Sequence, residues 1–143
     1  MRVLGENIKN ELKLNDNLSN SKLSLFYRMP TSSEINGYAN GMVTRKGNKV
    51  VRSVGEMRQK YGAKILIGIG EGSFGKVVDG KTVPISSDPQ SPNYDPQWQA
   101  LVIKQAPDVI EILAIQVFEA SISTDTTEVD EAEEGTDGDE AGE

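Results

Sequence analysis

The last twenty residues restrict where this 143-residue chain can fold: positions 124–143 hold ten Asp or Glu and no Lys or Arg. Like charges at that density repel one another, and the segment has almost nothing apolar to bury, so disorder is the physical expectation there. Folding is left to residues 1–123, which carry fifteen basic and twelve acidic side chains, a net +3 against −7 for the whole chain. The expected organisation is one mainly helical domain over 1–123, with a small N-terminal β element and about four helices, followed by a disordered acidic tail over 124–143.

The chain contains neither His nor Cys. Disulfides, thiolate nucleophiles and cysteine metal sites are therefore excluded. The commonest general base and the commonest zinc ligand are missing as well. The carboxylates form no paired arrangement of the kind acid–base catalysis uses. No catalytic residue, cofactor or metal is expected, and the chain reads as a non-enzyme. Apolar stretches such as Ile65-Leu66-Ile67-Gly68-Ile69 fall far short of a bilayer span. The start, Met1-Arg2-Val3-Leu4-Gly5-Glu6-Asn7, lacks the pattern of a signal peptide. A cytoplasmic protein with no membrane association is the expectation.

Alternation at Leu12 and Leu14, and again at Leu23, Leu25 and Tyr27, predicts two short strands joined through an Asn-rich connection. After Pro30, Thr31-Ser32-Ser33-Glu34 is a capping box, in which side chain and backbone satisfy each other's amides. Ile35, Tyr38, Ala39, Met42 and Val43 follow at helical spacing, with Arg45 and Lys46 in the expected last turn and Gly47 as the stop. Gly37 and Gly41, four residues apart, weaken such a helix unless another backbone packs closely there. A second capping box, Ser53 to Glu56, predicts a helix with Val54, Met57, Tyr61 and Ile65 on one stripe, ending near Gly68 or Gly70. Asp79-Gly80 suits a tight hairpin turn. Asp95-Pro96 predicts a helix start with Trp98, Leu101 and Val102 buried, and Pro107 opens a final helix to about Ala120 with Val109, Ile110, Leu113 and Val117 on its stripe. That helix is apolar nearly all round, so it is either central to the core or covered by a partner.

Two motifs invite functional readings. Gly70-Glu71-Gly72-Ser73-Phe74-Gly75-Lys76-Val77 matches the glycine-rich loop of protein kinases letter for letter. The catalytic and metal-binding loops that kinase chemistry requires are absent, so the string reads as a helix stop followed by a turn. Arg45, Lys46, Lys49, Arg52, Arg58, Lys60 and Lys64 are seven cations opposed only by Glu56. They suit a solvated face, docking on an acidic protein or on the chain's own tail, or phosphate contacts.

Taken in order, several segments resemble small tail-assembly chaperones of tailed phages and prophages. They are Arg28-Met29-Pro30-Thr31-Ser32-Ser33-Glu34, Val78-Asp79-Gly80-Lys81-Thr82-Val83-Pro84, Asp95-Pro96-Gln97-Trp98 and Ala106-Pro107-Asp108, with an acidic C-terminal end. The resemblance spans about residues 22–120. It implies a non-enzymatic protein that binds the long tape-measure protein, keeps it soluble and recruits tail-tube subunits in the host cytoplasm. The expected partner surface is the apolar face of the last helix, Ile110, Ile112, Ile115 and Phe118, with Arg45, Lys46, Lys49 and Arg52 steering an acidic partner. The alternatives are a structural tail or head-tail connector subunit, and a small nucleic-acid-binding regulator using the basic cluster at 45–64.

Overall fold

The computed structural model describes residues 1–122, so the expected acidic tail at 124–143 lies outside the described residues. Strands β1 (Asn10–Asp16) and β2 (Ser21–Tyr27) pair antiparallel from Asn10↔Tyr27 to Asp16↔Ser21, as the alternation predicts. Asn20 closes their loop at φ 54°, a left-handed value that Asn tolerates better than most residues.

Helix α1 (Ser32–Gly41) begins at the predicted capping box. Thr31 Oγ1 accepts from the Glu34 amide at 3.2 Å, and the Glu34 carboxylate accepts from the Thr31 amide at 2.9 Å. The same carboxylate takes two parallel bonds of 2.8 Å from the Arg28 guanidinium. Arg28 also donates its amide to the Ile65 carbonyl and a guanidinium N–H to the Lys64 carbonyl. One arginine thus ties the end of β2 to the start of α1 and to the chain near Ile65, which gives the Arg-x-Pro-Thr-x-x-Glu motif a structural purpose.

The Arg28 hydrogen bonds hold the Glu34 carboxyl at about 2, well below its ordinary 4.5. A depressed carboxylate stabilises the fold fully above about pH 4.5, and that contribution is lost as pH falls toward 2. Glu34→Gln keeps an acceptor for the Thr31 amide and should cost about 1–2 kcal/mol at neutral pH, from the lost charge on the bonds to Arg28. It should also flatten the acid limb of stability over that window. Urea midpoints measured from pH 6 to 2 decide the matter, and parallel curves for variant and wild type would contradict it.

The helix predicted to reach Lys46 ends at Gly41. Val43–Lys46 is instead strand β3, paired with β4 (Lys49–Arg52) around Gly47 at φ 62°. Helix α2 (Val54–Ile65) follows, but Ser53 makes no side-chain cap, so the second capping box does not form. Helix α2 stops at Ile65 rather than near Gly68 or Gly70. Leu66–Ile69 is strand β5, paired with β2 from Leu25↔Ile69 to Tyr27↔Leu66, and the sheet order is β1-β2-β5. A short apolar run has no periodicity that separates strand from helix, and the open edge of β2 needed backbone partners.

The predicted Asp79-Gly80 hairpin is present as β6 (Phe74–Val78) and β7 (Lys81–Ile85). Both turn residues have positive φ, 52° and 78°, as a type I′ turn requires. Helix α3 is Trp98–Gln105. Asp95 does not cap it; its carboxylate accepts from the Gln97 amide at 2.8 Å and from Lys76 at 2.6 Å. Helix α4 (Pro107–Ala114) has Pro107 at its first position and runs into a π turn (Ile115–Glu119) closed by the Ala120 amide on the Ile115 carbonyl.

Seven strands in three small sheets stand beside four α-helices among the described residues, so the fold is α+β rather than mainly α. The correction comes chiefly from the two segments expected to prolong helices, which became β3 and β5. The core joins Leu23 and Leu25 of β2 with Ile65, Leu66, Ile69 and Ile85, and covers them with Val102, Val109, Ile110, Leu113 and Val117. Of the expected core, Tyr38, Ile65, Leu113 and Val117 are buried, while Met42, Val54, Met57, Trp98 and Leu101 are half-buried. Ile35 is 49% exposed. The shortened α1 packs on α2 through Gly37, Tyr38 and Gly41, where the glycines face Tyr61 and Met57, and Ile35 is left outside.

Candidate functional site

The apolar surface expected on the last helix is mostly consumed by the fold. Ile110 is fully buried, and Ile115 and Phe118 are half-buried. Phe118 stacks on Tyr38, with centroids 4.4 Å apart and planes at 16°, and meets Tyr61 edge-on at 5.8 Å. Ile112 alone of the four stands out, at 44% exposure. The four residues therefore form no continuous docking face. The helix is apolar all round because its neighbours lie on several sides, with the β2 and β5 side chains in one cluster and Tyr38 and Tyr61 in another.

The same region holds an ion-pair network that the sequence reading missed. Arg58 donates to Glu111 at 3.0 Å and to both carboxylate oxygens of Glu119 at 3.0 Å. Tyr38 Oη donates to Glu119 as well. Burial, with the Glu119 carboxylate adding to it, pushes the Tyr38 hydroxyl up to about 12. The Arg58 hydrogen bonds hold Glu119 below its ordinary value. This network fastens the π turn to α1 and α2. No spacing signal in the sequence links Arg58 to Glu119.

The seven-cation cluster divides along the same lines. Arg58 is used up in the network, and Lys60 and Lys64 lie over the Tyr61 ring at 5.4 and 5.6 Å. Arg45, Lys46, Lys49 and Arg52 are all on the β3–β4 hairpin and all exposed, and none makes an ion pair or side-chain hydrogen bond among the described residues. The register Arg45↔Val50 and Val43↔Arg52 places both arginines on one face with Val43 and Val50, which are 47% and 60% exposed. Lys46↔Lys49 puts the two lysines on the opposite face, beside the turn. The hairpin could have been found in the sequence: Val43-Thr44 and Val50-Val51 flank Gly47-Asn48, two β-branched pairs around a tight-turn dipeptide.

The kinase-like glycine string is a turn at residues 70–73 followed by most of strand β6, not a helix stop. The Gly70 amide donates to the Ser24 carbonyl, and Ser73 Oγ accepts from the Ser24 amide at 3.0 Å. Glu71 accepts from Ser86 and Ser91, and Lys76 is paired with Asp95. The Ser73 hydroxyl, the Glu71 carboxylate and the Lys76 ammonium are thus each engaged within the fold.

Among the described residues no three His, Cys, Asp or Glu are grouped to hold a metal, and no helix is long and apolar enough to cross a membrane. The chain matches no family model, no curated protein and no solved structure.

Proposed function

We propose that this chain is a non-enzymatic protein-binding assembly factor of the tail-chaperone kind, working in the cytoplasm and docking through the β3–β4 hairpin. The observation that supports this best is the hairpin itself, with four exposed cations, two exposed valines and no acid between Arg45 and Arg52. Such a surface steers an acidic polypeptide by long-range attraction and seats it on a small apolar strip. The resemblance adds a partner class, a long helical tape-measure protein together with tail-tube subunits. The docking surface differs from the one expected on the last helix, because that face is spent on the core.

Co-expression with tail proteins of the same gene cluster, followed by pull-down, tests the proposal. The wild type should recover a partner at low salt, and the variant Arg45→Ser/Lys46→Ser/Lys49→Ser/Arg52→Ser should not. Ile112→Asp should recover it normally. Equal recovery by the wild type and the hairpin variant would remove the docking surface. Tight, salt-sensitive DNA binding with no protein partner would favour a regulator, and retention in purified virions would favour a structural tail or connector subunit.

A further inference from the structure

We infer that the hairpin's resident occupant is the chain's own acidic C-terminal segment, residues 124–143, which a partner must displace. The inference rests on the reading of the hairpin as a docking surface and specifies how that surface is regulated. Three observations carry it.

The first is charge. Arg45–Arg52 contains four cations and no acid, and nowhere else among the described residues do four cations fall within eight positions without one. Ten carboxylates without a counter-charge lie on the same chain.

The second is where the described chain ends. Glu119 is held by Arg58 and Tyr38, and Phe118 packs on the same Tyr38–Tyr61 cluster as Met42. Met42 directly precedes β3, and its carbonyl accepts from the Ser53 amide just after β4, which closes the root of the hairpin. The last described residues therefore share one side-chain cluster with that root.

The third is reach. Four residues separate Glu119 from Thr124, enough for about 14 Å at 3.3–3.6 Å per residue. Strands of four residues rise about 13 Å from root to turn. A link of that length brings Asp125 and the acids that follow it within reach of the hairpin. Tethering makes the contact intramolecular, with an effective concentration in the millimolar range for a short flexible link. An untethered acidic partner has to outcompete that contact, so weak polyanions are excluded and a long, specific partner is admitted.

The absence of cysteine allows a single label to be placed in the full chain. Ala132→Cys carrying a nitroxide should cause a loss of amide NMR signal that, within residues 1–122, is centred on residues 43–52 at about 10 mM salt, where the Debye length is about 30 Å. The loss should disappear at about 1 M, where that length is about 3 Å. It should also disappear in a labelled chain whose ten tail carboxylates are replaced by amides, a change that leaves residues 1–122 untouched. Undiminished hairpin signals at low salt would overturn the inference. So would losses spread evenly over the protein, or the same losses with the neutral tail. Tail contact without any hairpin-dependent partner would remove the docking proposal alone, and hairpin-dependent capture without tail contact would remove this inference alone.

Discussion

Leu113→Ala should lower the unfolding free energy by about 2–5 kcal/mol, the range for emptying a packed leucine site. Leu113 is completely buried in α4, within the cluster that joins β2, β5, α3 and the end of α2. The loss has two parts, the transfer of the leucine side chain and the cavity left where neighbours on several elements cannot all relax inward. Alanine's helix propensity recovers only a few tenths of a kcal/mol. The internal control is Ile112→Ala, one position away on the same helix but 44% exposed, which should stay within about 1 kcal/mol of the wild type. Urea unfolding of the two variants side by side gives the comparison. Similar midpoints would mean that α4 does not sit at the centre of the core.

Gly62→Ala should destabilise the protein by about 1 kcal/mol or more, although alanine is the better helix former. A methyl at Gly62 would stand 2.6 Å from the backbone carbonyl oxygen of Ile110 and 2.9 Å from its Cγ2. A carbonyl cannot rotate away as a flexible side chain can, so α2 and α4 would have to separate and loosen the core between them. Overpacking of this sort costs about 1–3 kcal/mol and occasionally more, which exceeds the propensity gain of about 1 kcal/mol. Gly55 in the same helix meets nothing within 4 Å, so Gly55→Ala should instead stabilise by about 0.4–1 kcal/mol. Thermal midpoints moving in opposite directions for the two substitutions are the expected result. A stabilised Gly62→Ala would show that the helices are not in the close contact described.

The elements legible in the sequence are those whose signal is local and chemically specific. Thr31 and Glu34 form their capping box because both partners lie within one helical turn. Pro107 starts α4 because its ring presets φ and it has no amide to satisfy. Asp79-Gly80 makes its hairpin because those two residues accept positive φ. Leu23 and Leu25 alternate inward because successive strand residues face opposite sides of the sheet. The four cations of the candidate surface were also visible by count, although their division between two hairpin faces was not.

Tertiary contacts decided the rest. Met42-Val43 continues the apolar spacing of α1, yet pairing with Lys49–Arg52 and packing of Gly37 and Gly41 on α2 end that helix at Gly41. Leu66–Ile69 could have prolonged α2, but β2 offered an edge of unpaired backbone groups and the strand satisfied them. Ile110 and Phe118 look like partner surface on an isolated helix and are core in the folded chain, because β2, β5, α1 and α2 approach that helix together. Local preferences differ by about 1 kcal/mol per residue or less. A buried leucine or isoleucine contributes about 1.5–3 kcal/mol. Wherever the two disagreed, burial and the pairing of backbone groups between distant segments set the outcome, and neither can be read from a window of neighbouring residues.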